Sequence, residues 1–527
     1  MRHEPRTSIV FAAACVLVTL SLPVSTHAQS PPNGPPATIR VPAGGDLQAA
    51  LDRARAGDLV ELAPGAVYRG NFVLRPKDGT RPVTLRTTPS TGLPRAGARI
   101  SPDHSRLLAT IQSPNTSPAL RTAPGAHRWR LTLLEFGPNA RGAGDILVLG
   151  DGSAAQSNLS QVPRDLLVDR CYIRGDPLLG QKRGIALNSA STRITNSYIA
   201  DIKAAGQDAQ AIAGWNGPGP FVIENNYLEA SGENFLLGGT APAIAGLVPS
   251  DVVFRRNHVT RPVSWRGQRW TVKNLFELKN ARRVLVEGNL FEHNWQGGQP
   301  GYAVVLTPSG QRGQAPWSTV EDVTFRWNII RHVAAVFNLL AFDDNGESAL
   351  MRRIRIGDNL IYGVDRAAWG GNGAFLQVGE GPVDLVVEHN TIIQSGNVIT
   401  AYGGTRDRPA AAVGFIFRNN LALHNANGVI GQGRAIGSET LAAYFPGAEF
   451  VRNVLAGGRE SRYPGDNLFP EADQFAAQFV NYAAHDYRLQ SRSTFRRAAT
   501  SGADLGVSYI VLARALGARA REWLGLK

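Results

Sequence analysis

Lysine is scarce in this chain, and two of its lysines fall within seven residues of each other. Of 55 basic residues only six are lysine: Lys77, Lys182, Lys203, Lys273, Lys279 and Lys527. Arginine is the default cation, yet only lysine readily gives up its proton when its surroundings disfavour charge. A site that abstracts a proton therefore needs the lysine. The surrounding stretch reads RPVSWRGQRWTVKNLFELKNARRVLVEGNLFEHNWQGGQPGYAVVLTPSGQRGQAPW, from Arg261 to Trp317. Within it, Leu275–Lys279 has strand character. With Leu278 turned inward, Glu277 and Lys279 project from one face. As a bare surface ion pair they contribute only ~0–1 kcal/mol. Trp265, Trp270, Trp295, Trp317 and Tyr302 alternate here with Arg266 and Arg269. Aromatic faces interleaved with cations suit a sugar that carries carboxylates; tryptophans equally pack beneath loops. The chemistry such a set supports is proton abstraction beside a carboxylate. Arg266 and Lys273 neutralise the carboxylate, Lys279 is the base with Glu277 beside it, and Tyr302 or His332 is the acid. Trp270, Trp295, Arg331 and Gln377 are further candidates to hold the substrate. A lone histidine such as His332 is more often structural.

The elements that must position these groups come from a repeat. Ten stretches carry one phrase, an apolar residue, polar residues, usually an asparagine, and an apolar pair: VDRCYI, RITNSYI, IENNYL, FRRNHV, VEGNLF, FRWNII, IGDNLI, VEHNTI, FRNNLA and FVRNVL. The marked positions are Cys171, Asn196, Asn226, Asn257, Asn289, Asn328, Asn359, Asn390, Asn420 and Asn453, spaced by 25, 30, 31, 32, 39, 31, 31, 30 and 33 residues. A period this regular means one unit stacked on copies of itself. The two-residue alternation of Val, Ile and Phe predicts strands. Two or three short strands per repeat, with no helix between, exclude βαβ folds. The expected fold is all-β, a single-stranded parallel β-helix of about ten or more coils. Asparagines repeated at one corner of every coil are expected to stack with their amides bonded in a row. The repeat stretches between Asn257 and Asn328, and extra residues in a solenoid go into loops, which carry function.

The chain resembles the right-handed parallel β-helix proteins of the pectin-lyase-like group, from about Thr38 to about Ala499, and that resemblance implies a right-handed coil. Its opening, ATIRVPAGGDLQAALDRARAGDLVELAPGAVYRGNFVL, resembles their entry segment. There Asp46 caps a short helix through about Arg55, with Leu47 and Leu51 on one face, and Leu59–Leu62 is a strand. Such a helix covers an open end of the stack, and a second helix over Tyr509–Leu524 is placed to cover the other. The segment ELKN resembles the lysine-bearing segment of the alginate lyase and chondroitinase B family. That resemblance implies Lys279 as base, and Glu277 as a neighbour of calcium or of the substrate carboxylate. Asn280 stands where that family has serine. No arginine follows one coil later on the strand, since Arg312 lies in a loop, and no set of acidic calcium ligands accompanies Glu277. The NTD, GHG and RIK segments of polygalacturonase-like hydrolases are absent. Asp343-Asp344 is the only acidic pair near the middle coils.

Domain organisation follows: residues 1–28 a secretory signal, 29–37 a Pro-rich linker, 38–499 the β-helix with its cap, and 500–527 a helical tail. The signal consists of Arg2 and Arg6, an apolar run from Ile9 to Leu22 and Thr26-His27-Ala28 as cleavage site. It predicts a secreted or periplasmic protein without a membrane span. Cys15 leaves with it, so Cys171 has no disulfide partner. The formal charge is +13; loss of Arg2, Arg6 and Glu4 makes it +12. A basic secreted rod points to an acidic polysaccharide as partner. Nucleic acid is disfavoured, because neither a reader motif nor a Lys/Arg tract is present. A monomer is expected. The function expected from the whole is a lyase that cleaves a uronate-containing glycan by β-elimination. A glycoside hydrolase and a non-catalytic glycan-binding adhesin are the alternatives.

Overall fold

The repeated phrase marks a corner of the chain. A computed structural model describes residues 35–343, 345–405 and 407–525; the signal, the start of the linker and Asp344 lie outside the described residues. Each coil visits three sheets in turn, and among the described residues these hold 14, 13 and 12 strands, paired parallel between successive coils. The chain is a right-handed parallel β-helix. At each phrase it passes from the 14-stranded to the 13-stranded sheet: Ser250–Arg255, the corner at Asn257, then His258–Thr260. The next strand, Phe276–Leu278, belongs to the 12-stranded sheet.

At this corner, Asn226, Asn257, Asn289, Asn328, Asn359, Asn390, Asn420 and Asn453 are buried. Each donates from its side-chain amide to the amide oxygen of the next, at 2.9–3.1 Å, and the series ends on Asn467. The backbone N–H of each donor asparagine bonds the same oxygen, as Asn289 does to Asn328 at 2.9 Å. One detail differs from the sequence reading, and the backbone explains it. The left-handed residue is the one before the asparagine: Arg256, Gly288, Trp327, Asp358, His389, Asn419 and Arg452 all have φ between 52° and 65°. The asparagine supplies a buried amide, not the bend. For the same reason Asn196 is not in the column. It has φ 53° and faces outward, and Ser197 takes its place, with its hydroxyl accepting from the N–H of Cys171.

The apolar pair after each asparagine splits between two cores. Phe291, Ile330, Ile361, Ala422 and Leu455 point into the bore, where they join Phe235, Phe254, Phe276 and Phe325. Leu290, Ile329, Leu360, Leu421 and Val454 point outward and are covered by Phe475, Phe479, Tyr487, Phe495, Leu512, Leu516 and Trp523. After the last stacked strand, Val454–Ala456, the chain thus runs back along the outside of the 13-stranded sheet. The expectation that the last helix closes the end of the stack is corrected. Tyr509–Leu516 and Ala520–Leu524 are two helices separated at Gly517, and they lie against this side face, where Arg256 donates to the carbonyl of Ala515 at 3.1 Å. The entry helix, Leu47–Arg53, is capped by Asp46, which accepts from Ala49 N–H at 2.9 Å, and buries Leu47 and Leu51. Cys171 is buried and unpaired, and burial pushes its thiol up to about 12.

Candidate functional site

The strand Phe276–Leu278 turns Phe276 and Leu278 into the bore and Glu277 outward. Register fixes its neighbours: Glu277 sits opposite Leu236 on one side and Val305 on the other, followed by Asn338 and Gln377. Lys279 follows on the same face, held where its N–H bonds the carbonyl of Leu237 at 2.8 Å. Gly238 makes room for it. A Cβ there, already disfavoured at φ 94°, would lie 3.0 Å from the Lys279 Cβ and 2.7 Å from Asn280 N. Glu277 is nearly enclosed, its side chain 3% exposed; that of Lys279 is 27% exposed, and the two charges meet at 3.3 Å. Asn274 donates to the other oxygen of Glu277 at 2.8 Å.

These residues form one wall of a cleft of about 430 Å³ on the outer face of the 12-stranded sheet. Lys182, Arg183, Trp215, Asp208, Glu233 and Lys273 also line it. They form a chain of polar contacts. Arg183 bonds Asp145 at 2.9 Å and Gln210 at 3.0 Å; Gln210 donates to Glu233 at 3.0 Å. Lys273 stands 2.8 Å from Asp208 and 3.4 Å from Glu233. Burial pushes the Glu233 carboxyl up to about 7; Glu277 adds to that rise and Lys273 works against it. Burial pulls Lys273 down, but Glu233, Asp208 and Glu277 outweigh it, so its ammonium ends above its ordinary value. The cleft therefore holds a firmly charged lysine, a carboxyl that changes charge near neutrality and a second lysine, Lys279, partly open to solvent.

The structure brings together three of the sequence candidates, Lys279, Glu277 and Lys273, and scatters the rest. Trp270 and Trp295 are buried with Trp265 and Val272 in an apolar cluster beneath the loops, against Trp369. Arg266 lies over the Trp369 ring at 5.6 Å. Tyr302 is buried; it donates to Gln377 and accepts from Asn372, both at 2.8 Å, and burial pushes its hydroxyl up to about 12. Gln377 stays in the outward column of Glu277, three strands along, and bonds Asn338 at 3.1 Å. Arg331 and His332 are on the 13-stranded sheet, not the sheet of Lys279. Arg331 is consumed by Glu292 at 2.6 Å and the hydroxyl of Tyr362 at 3.0 Å. Burial, aided by Arg331 and His293, pulls His332 down to about 4, so it is a neutral ring at pH 7. Asn280, where the resembled family has serine, is a buried corner residue that bonds the backbone of Leu247 and Thr319.

Glu233, Asp208, Arg183 and Trp215 escaped the sequence reading. They lie one to three coils earlier, and only stacking brings them beside Lys279. Register pairs Arg183 with Gln210 and Gln210 with Glu233, a column that no sequence spacing announces. Calcium, implied by the family resemblance, does not fit this donor set. The space between Asp208 and Glu233 is taken by the Lys273 ammonium, and Glu277 is engaged by Asn274 and Lys279.

No protein-family model matches the sequence, and no curated protein matches it. Solved structures do. A PL6-family alginate lyase, AlyGC, superposes with a TM-score of 0.55 at 14% identity over 92% of this chain; the chain spans 58% of that enzyme's length. A mannuronic-acid-specific polysaccharide family 6 lyase from human gut microbiota superposes with a TM-score of 0.50 at 13% identity, covering 83% of this chain and 92% of that one. At this identity what is shared is the fold alone, a right-handed parallel β-helix.

Proposed function

We propose that the protein is a secreted or periplasmic polysaccharide-active enzyme, a lyase that cleaves a uronate-containing glycan by β-elimination in the cleft of Lys279. The observation that carries this reading is the convergence of Lys279, Lys273, Glu233 and Glu277 in one open cleft. β-Elimination needs a neutralised carboxylate, a base for the proton beside it and an acid for the leaving oxygen. Lys273, with Arg183 and Lys182, supplies fixed positive charge for the carboxylate. Lys279 in its unprotonated form takes the proton, and Glu233, near half protonated at neutral pH, is placed to give one. Trp215 offers the aromatic face for a sugar ring that the buried tryptophans cannot. The superposition on two polysaccharide lyases is in keeping with this reading.

A second reading has one observation in its favour. Glu233 and Glu277 are two carboxyl groups in one cleft with different environments, the pattern of a glycoside hydrolase acid and its partner. One experiment separates the two. Purified protein is incubated with uronate polymers, and both ultraviolet absorbance and reducing ends are followed. The lyase reading requires both to rise together, because elimination leaves a conjugated unsaturated end. Reducing ends without absorbance establish the hydrolase instead, and retention of the polymer without any product leaves a binding protein.

A further inference from the structure

A second cluster of reactive side chains lies on the 13-stranded sheet and takes no part in the cleft. Glu292 and His293 belong to the strand Leu290–Asn294, and His332 to the next coil's strand, Ile329–Val333. One carboxylate oxygen and one nitrogen of each imidazole lie within 4.8 Å of one another. We propose that Glu292, His293 and His332 bind a divalent first-row transition ion, through one carboxylate oxygen and two imidazole nitrogens.

Four observations carry this. Adjacent residues of a strand normally face opposite ways, but His293 has φ 63°, and that left-handed turn brings its ring to the side of Glu292. His332 repeats it one coil later with φ 55°, so the rings stack in register, 5.6 Å apart and 10° from parallel. Next, the third coil is cut away to admit them. Gly363 stands there, and a Cβ on it would come 2.9 Å from Cδ2 of His332. Then, the groups behind the ligands fix their orientation, as the outer partners of metal ligands do. His258 Nε2 lies 2.8 Å from one Glu292 oxygen, and Arg331 donates to the other at 2.6 Å, which leaves a lone pair on each. His293 Nδ1 lies 3.2 Å from the Thr260 hydroxyl, so that Nε2 is free to ligate. Last, neither nitrogen of His332 has a hydrogen-bond partner among the described residues, and the ring is half-buried against Trp369 and Tyr362.

The donor set selects the ion. Imidazole nitrogen suits zinc, copper and nickel, whereas calcium and magnesium require oxygen. A tetrahedral zinc with bonds of about 2.0–2.1 Å needs donors closer than 4.8 Å, a contraction within reach of small rotations of partly exposed rings. Three protein ligands leave a further position to solvent. The Arg331 charge beside the same carboxylate works against the bound cation and weakens its affinity.

The test is zinc titration of the full chain by calorimetry, with His293→Asn and His332→Asn as variants. Asparagine tolerates the left-handed backbone that both positions require. One zinc per chain is expected, at least ~10-fold weaker in either variant, unchanged in Lys279→Arg and not displaced by millimolar calcium. Should a variant fail to fold, the wild type decides alone. Zinc is then expected to protect His293 and His332, and no histidine outside the cluster such as the equally half-buried His127, from diethylpyrocarbonate, read by mass spectrometry. Zinc binding that survives both substitutions, competition by calcium, or equal labelling with and without zinc would overturn the proposal.

Discussion

Lys273 and Lys279 sit six residues apart and play different parts. The Lys273 ammonium is held by two carboxylates, Asp208 and Glu233, in a half-buried setting that keeps it charged. Lys279 has one carboxylate at 3.3 Å and reaches into the open cleft. If it is the base, Lys279→Arg keeps the charge and removes the form that takes the proton. Turnover on a uronate polymer should then fall by about 10²–10⁴-fold with binding nearly unchanged; an arginine variant with full turnover would remove Lys279 from the mechanism. Glu233 makes a prediction independent of any substrate. Its folded value, about 7, lies above the ordinary 4.5, so the folded chain binds that proton more tightly than the unfolded one. Its stabilising contribution is therefore full below about pH 4.5 and declines as pH rises through about 7. Glu233→Gln removes this titration. The stability difference between wild type and variant, followed by urea denaturation from pH 4.5 to 8, should change by at most ~3 kcal/mol in that direction. A difference that stays level across this range would show that Glu233 titrates normally.

At the scale of the element, the corner column and the apolar pair account for the ten phrases. Asn359 accepts from both the backbone and the side chain of Asn328 and donates to Asn390 and to the carbonyl of Phe325. Asn359→Leu strands these partners inside the protein, and the unfolding free energy should fall by about 1–3 kcal/mol. An unchanged midpoint would mean that the amide row contributes nothing. The outward member of each apolar pair depends on the returning C-terminal segment. Trp523, buried beside His258 and next to Arg331, is its distal anchor. Trp523→Ala should cost about 3–5 kcal/mol. Because the segment is held by this one face, the loss should appear first as faster proteolytic nicking near the helices at Tyr509–Leu524, before the stack unfolds. If the first cuts fall within the stacked strands instead, the segment is not the weaker unit.

At the scale of the molecule, much of the positive charge is already paired. Along the outer face of the 14-stranded sheet, arginines on one coil meet glutamates on the one before: Arg86 with Glu61, Arg255 with Glu224, Arg326 with Glu287, Arg352 with Glu321, and Arg418 with Glu388. These rungs leave the remaining net charge of the chain, +13 by formula, for a partner. Retention on an acidic glycan matrix should exceed that on a neutral one at low salt and decline as the Debye length falls from about 30 Å at 0.01 M to about 10 Å at 0.1 M. Equal retention on both matrices would remove charge as the basis of recognition. No helix among the described residues is long and apolar enough to cross a membrane. The fold was legible in the order of residues because its unit is local: each corner, strand and inward apolar position recurs within about thirty residues, and period alone declares the stack. The outward direction of Glu277 and Lys279 was legible for the same reason, since alternation along a strand is a local rule. The composition of the cleft was not. Asp208, Glu233, Arg183 and Trp215 meet Lys273 and Lys279 across the stacking direction, where neighbours are separated by whole coils and no sequence spacing reports which side chains touch. Three tryptophans of the long loops, Trp265, Trp270 and Trp295, illustrate the converse. Their density near the lysines suggested a sugar platform, but the loops fold over them, and burial of large apolar faces outweighed exposure to a ligand.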